Sequence, residues 1–108
     1  MWLLTAYILA KLAGNGEIVS KSDLIDFIFN KLWKEGKIAL NDSVEELNNE
    51  LNFLERLGLV EVGEEIRVKE DLRRIAKEVE NDPLRYRVSL WDEYIRSIDS
   101  VTSMLRRN

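Results

Sequence analysis

The side chains that most often carry chemistry are absent from this sequence or poorly spaced in it. It contains no histidine and no cysteine. That removes the usual general base, the commonest zinc ligand, thiolate nucleophiles, disulfides and any Ser-His-Asp arrangement. Catalysis would have to rest on carboxylates, lysine or tyrosine. The adjacent acid pairs, Glu64 with Glu65 and Asp92 with Glu93, diverge on a strand or a helix, because successive side chains point in different directions. No glycine-rich phosphate loop and no metal-ligand spacing occurs. The expectation is a non-enzymatic protein with no catalytic residues, no metal and no cofactor.

Recognition chemistry is better represented. Asn48, Asn49 and Asn52 lie within one short stretch, and asparagine can read adenine edges. Lys31, Lys34 and Lys37 could meet phosphate, or could simply complement the end of a helix dipole. Arg85, Arg87, Arg96, Arg106 and Arg107 make the C-terminal segment the most basic part, as a nucleic-acid tail or as solvated flanks of a buried helix.

The overall charge opposes a generic polyanion binder. The 108 residues carry a net charge of −4, whereas nucleic-acid domains usually present a basic face. Residues 41–58 are the most acidic stretch, with five acids against one arginine, and residues 84–108 hold five arginines against three acids. Hydrophobic content of 45% with 33% charged residues is that of a globular domain able to bury its own core. No apolar run approaches the ~20 residues of a membrane span. The N-terminal "MWLLTAYILAKLAG" has its cation, Lys11, after the apolar stretch, so no cleaved leader is expected and the predicted setting is cytoplasmic.

Periodicity then supplies the elements that must hold these groups. Trp2 to Ala13 is apolar nearly all round and ends at "GNG", which predicts a helix buried on several sides, by a second layer or by a partner chain. "EIVS" is a short β-prone link. Ser20 or Ser22 caps a second helix with Leu24, Ile25, Ile28, Phe29, Leu32 and Trp33 in period, Gly36 as its C′ residue, and "KIAL" as a small strand after it. Both Asp42 with Glu45 and Ser43 with Glu46 fit the reciprocal capping box. Val44, Leu47, Leu51, Leu54 and Leu57 follow on one face until Gly58. "LVEV" and "IRV" around Gly63 predict a tight hairpin, and Lys69 to Glu80 an amphipathic helix with Leu72, Ile75, Ala76 and Val79 facing in. "NDP" breaks the chain. Leu84, Tyr86, Val88 and Leu90 alternate, and from Leu90 onward a last helix runs.

A helix, short strand, helix, capped helix, "LERLGLVEV", tight turn and "IRV", in that order from Trp2 to Val68, resemble the winged helix-turn-helix superfamily. The resemblance implies a mainly α fold with a small β-hairpin: a three-helix core plus wing over residues 1–82, followed by one or two C-terminal helices in residues 83–108. The connector from Gly36 to Asn41 is longer than a compact helix-turn-helix allows. The resemblance further implies that the third helix is the recognition element, its outward positions being Glu45, Glu46, Asn48, Asn49, Asn52, Phe53 and Arg56, with the wing tip at Gly63, Glu64 and Glu65. Phosphate contacts need Lys or Arg, and here Asp42, Glu45 and Glu46 crowd the helix start. Each repulsion is worth ~1–4 kcal/mol at ~4 Å. The expectation is a protein-interaction or scaffolding domain, with a DNA-binding transcriptional regulator as the alternative.

Trp91, Ile98 and Leu105 fall seven apart with Tyr94, Ile95 and Val101 between them, a heptad-like stripe. Together with Trp2 these residues are the candidate homodimer interface. Packing of the same stripe on its own domain is the other expectation.

Overall fold

The computed structural model describes residues 2–82 and 89–106, with the side chains of 89–91 and 106 left aside. The elements are α1 (Trp2–Ala13), β1 (Ile18–Ser20), α2 (Lys21–Asp26), a π-helical turn (Phe27–Lys31), α3 (Leu32–Gly36), α4 (Val44–Arg56), β2 (Val60–Val62), β3 (Glu65–Val68), α5 (Glu70–Asn81) and α6 (Ser89–Arg106). The chain is thus mainly helical with a small antiparallel sheet.

Helix α1 is the axis of the core. Every residue from Leu4 to Leu9 is buried, so a helix apolar all round needs cover on every side. That cover comes in cis, from α5, α4 and α6 and from β1. The helix ends at Gly14, whose φ of 57° is left-handed. Arg73 of α5 closes this end: its guanidinium donates to the Gly14 carbonyl at 2.6 Å and to the Gly16 carbonyl, supplying donors where a helix end leaves oxygens unpaired.

The second helical run departs from its expected register. Ser20 caps it, accepting from the Asp23 amide, but the Leu32 amide bonds back to the Phe27 carbonyl, five residues away. This wider turn holds one residue more than an α turn, and it rotates the residues after it. Leu24, Phe27, Ile28 and Leu32 fill the core, while Trp33, expected on the same face, is 56% exposed.

The C-terminus of this run is an αL cap with an unexpected residue at its hinge. Ile38 N–H donates to the Leu32 carbonyl at 3.3 Å and Lys37 N–H to the Trp33 carbonyl at 3.2 Å. Lys37, not Gly36, takes the left-handed conformation, with φ 57° and ψ 34°. Gly36 serves close packing instead: a Cβ there would lie 3.2 Å from Leu32 Cδ1 and 3.4 Å from both Ser97 Cβ and Val101 Cγ2. The following "KIAL" forms no strand; Ile38 turns into the core. Lys37→Gly should therefore stabilise the fold by about 0.5–1 kcal/mol, relief of left-handed strain exceeding the added chain entropy. Gly36→Ala should destabilise it. Urea melts of the two variants check the pair, and a stabilising Gly36→Ala would reverse the assignment.

Between the two capping boxes open in the sequence, the fold uses Ser43 with Glu46. Ser43 Oγ accepts from Glu46 N–H at 3.1 Å, and the Glu46 carboxylate accepts from the Asp42 N–H at 3.3 Å. Leu47, Leu51 and Leu54 face the core. Val44 and Leu57, expected with them, are 42% and 48% exposed because they sit at the two ends of the stripe. Gly58 then turns with φ 76° and delivers the chain to β2.

The hairpin gains a third strand. The sheet order is β1-β3-β2, all antiparallel. Val19 pairs with Ile66, and Ile66 with Val62, while Val60 pairs with Val68. This register turns Val19, Val60, Ile66 and Val68 inward, and puts Ile18, Arg67 and Glu61 on the outer face. The alternation of residues 84–88 lies outside the described residues.

Helix α6 lies against α3 and α1. Ile95, Ile98 and Val101 are buried there. Asp99 locks it down, accepting from the Tyr7 hydroxyl at 2.5 Å and lying 3.5 Å from Lys11 Nζ. The Lys11 ammonium also stands 5.3 Å from the centroid of the Tyr7 ring.

Candidate functional site

The outward side of α4 is where the exposed recognition groups gather. The Ser43 cap fixes the helix start and the Leu47–Leu51–Leu54 stripe fixes its rotation, so Glu45, Asn49, Asn52, Phe53 and Arg56 face solvent. Asn48 does not stand with them: it is half-buried, and its Oδ1 is enclosed without a hydrogen-bond donor. Gly63, Glu64 and Glu65 form the hairpin tip, and all three are exposed.

Two acids of α4 are engaged inward. Glu50 Oε2 accepts from the Thr5 hydroxyl at 2.8 Å and from Asn41 Nδ2 at 2.8 Å; Asn41 Nδ2 also lies 3.4 Å from Glu46 Oε1. Thr5 is fully enclosed in α1, so this network ties α1, the connector and α4 together. Glu50 and Glu46 are thereby engaged within the fold, whereas Glu45 stands exposed.

An apolar groove lies on each side of this network. The first, about 320 Å³, is walled by Trp2, Glu46, Asn49, Glu50 and Phe53. The rings of Trp2 and Phe53 meet edge-on, with centroids 5.3 Å apart. The second, about 280 Å³, is walled by Ile28, Phe29, Trp33, Ala39 and Asn41. Asn41 is common to the network and to the second groove. Its Oδ1, like that of Asn48, is buried without a donor.

No family model, curated protein or solved structure matches the chain. The meaning of the site therefore rests on its own geometry. Among the described residues no group of acids is placed to hold a metal ion, and no helix is long and apolar enough to cross a membrane. The Asp26 carboxyl is held below the usual carboxylate range, first by the Asn30 amide at 3.1 Å and then by Lys31, whose Nζ lies 3.4 Å away. A carboxylate held ionised in this way is no general acid at neutral pH, and the same contact engages Lys31, one of the cations considered for phosphate.

The stripe expected at a dimer seam is divided by the fold. Ile95, Ile98 and Val101 are buried within the single chain, Tyr94 and Leu105 are half-buried on it, and the side chain of Trp91 lies outside the described residues. Trp2 sits against Phe53. The groups that sequence reasoning misses are Trp33, Phe29 and Asn41. Trp33 is hidden by its apparent fit to the helical period, which the π turn breaks.

Proposed function

We propose that this chain is a non-enzymatic winged-helix module that docks a protein partner on the outward side of α4. The winged-helix part is supported by the element order, in which α4 feeds a hairpin, and by the strand before α2 pairing with the far arm of that hairpin. The docking part is carried by one observation: carboxylates and aromatic rings share the face that would otherwise meet nucleic acid. Interface cores are enriched in aromatic side chains and depleted of lysine. Residues 42–56 contain five acids and the single cation Arg56, so a phosphate backbone laid on α4 would meet more repulsion than attraction. Self-association through α6 is no part of the proposal, because Ile95, Ile98 and Val101 fill the chain's own core.

The competing reading is a DNA-binding regulator using Asn49, Asn52 and Arg56, three polar groups on the outward side of α4. A labelled duplex titrated at about 50 and about 200 mM salt separates the two. The expected outcome is no saturable binding at micromolar protein, in either salt. Saturable binding that weakens steeply with salt, and that strengthens in Glu45→Lys, would replace docking with DNA recognition.

A further inference from the structure

We propose that Asn15 is a site of spontaneous covalent modification, converting to aspartate and isoaspartate at a rate set by the Arg73 clamp on its turn. Asn15 is the one asparagine of eight that is followed by glycine. Among the described asparagines only Asn15 and Asn41 stand outside a helix, and Asn41 is 6% exposed. Asn15 and Gly16 are both exposed, in the turn between α1 and β1. Glycine is favoured there, because a Cβ on Gly16 would lie 3.3 Å from the Ala13 carbonyl oxygen. The fold therefore keeps a reactive pair in the open.

The chemistry needs only water. The Gly16 backbone nitrogen attacks the side-chain carbonyl carbon of Asn15, and without a Cβ glycine does not obstruct the approach. A new N–C bond closes a cyclic imide, the bond from that carbon to the side-chain nitrogen breaks, and ammonia leaves with the proton given up by Gly16. Water then adds to one imide carbonyl and reopens the ring. The product is an aspartate, or an isoaspartate whose main chain runs through the former side-chain carbonyl carbon.

The freedom of the turn sets the rate. Gly16 N–H is held by the Ala13 carbonyl at 2.8 Å. The Arg73 guanidinium bonds the carbonyls on both sides of Asn15, those of Gly14 and Gly16. Ring closure requires the nitrogen to leave Ala13 and the peptide to swing toward the side chain, and the clamp opposes both. The reaction therefore proceeds from the locally opened turn. Its product keeps the turn open. The new carboxylate shares with Lys11, Arg73 and Lys77 a cavity of about 310 Å³ between α1 and α5. A guanidinium bonds a carboxylate more strongly than a carbonyl, so the product draws Arg73 away from Gly14 and Gly16.

The test is peptide mapping by mass spectrometry after incubating the full chain at mildly alkaline pH, folded and in urea. In the folded parent Asn15 should be the first asparagine to convert, and more slowly than in urea. Loss of two hydrogen bonds to a charged group raises the opened population about tenfold or more. Folded Arg73→Ala should convert faster by that factor. If circular dichroism shows that variant unfolded, Arg73→Lys, which keeps the charge and loses the fork, takes its place and should still outpace the parent. Another asparagine converting first in the folded parent would overturn the site. A folded parent as fast as the urea sample, or a folded Arg73 variant no faster than the parent, would overturn the clamp.

Discussion

Ile98→Ala should lower the unfolding free energy by about 2–5 kcal/mol, the range for deleting a buried aliphatic branch and leaving a cavity. Ile98 is fully buried in α6, between Ile95 and Val101, on the side that covers α1 and α3. Domains of this size are stable by only ~5–15 kcal/mol, so the variant should melt lower by on the order of 10 °C or more. The same melts decide between cover in cis and cover by a second copy. With α6 folded on its own chain, the midpoint of the parent protein does not move with protein concentration. If α6 belonged to a dimer seam, the midpoint would climb as concentration rises. A loss below ~1 kcal/mol in Ile98→Ala would show that α6 is peripheral to the core.

How much of this is legible in the sequence depends on whether one segment's own pattern decides an element. The bounds of α1, Trp2 to Ala13, follow from composition and from Gly14. The Ser43 cap and the turn at Gly58 follow from local hydrogen bonding and from a φ that glycine tolerates. Other features are set across the chain. Gly36 reads as a helix stop, but it is kept small by Ser97 and Val101, sixty or so residues away, and Lys37 takes the left-handed position in its place. β1 reads as a link until Ile66 of β3 pairs with Val19. The π turn has no marker in its sequence, so the helical period places Trp33 in the core and conceals the groove beside it. For the candidate site, the same period turns Glu45, Asn49, Asn52, Phe53 and Arg56 outward, but it also places Glu46 and Asn48 there, and the fold half-buries both. It cannot reveal that Glu50 turns back to Thr5, forty-five residues earlier.

Glu50 gives the second large effect, and it separates holding the fold from meeting a partner. Glu50→Ala strips an acceptor from the enclosed Thr5 hydroxyl and from the Asn41 amide, each bonded at 2.8 Å. Removing one partner of a buried hydrogen bond costs ~1–3 kcal/mol, so with two such bonds a loss of about 2–5 kcal/mol is expected in urea denaturation. Thr5→Val removes one donor and should cost less. Combined with Glu50→Ala it should recover part of the sum, because the two substitutions remove one and the same hydrogen bond. A coupling energy of about 1–2 kcal/mol in the double-mutant cycle is the expected signature. Costs that add to within ~0.5 kcal/mol would mean that the two side chains do not hold each other. Glu45→Lys on the same helix should cost only about 1 kcal/mol, the loss of a first-turn acid from the helix dipole. Two carboxylates on one helix would then have divided the work, Glu50 fixing the angle of α4 on α1 and Glu45 standing clear to recognise what arrives.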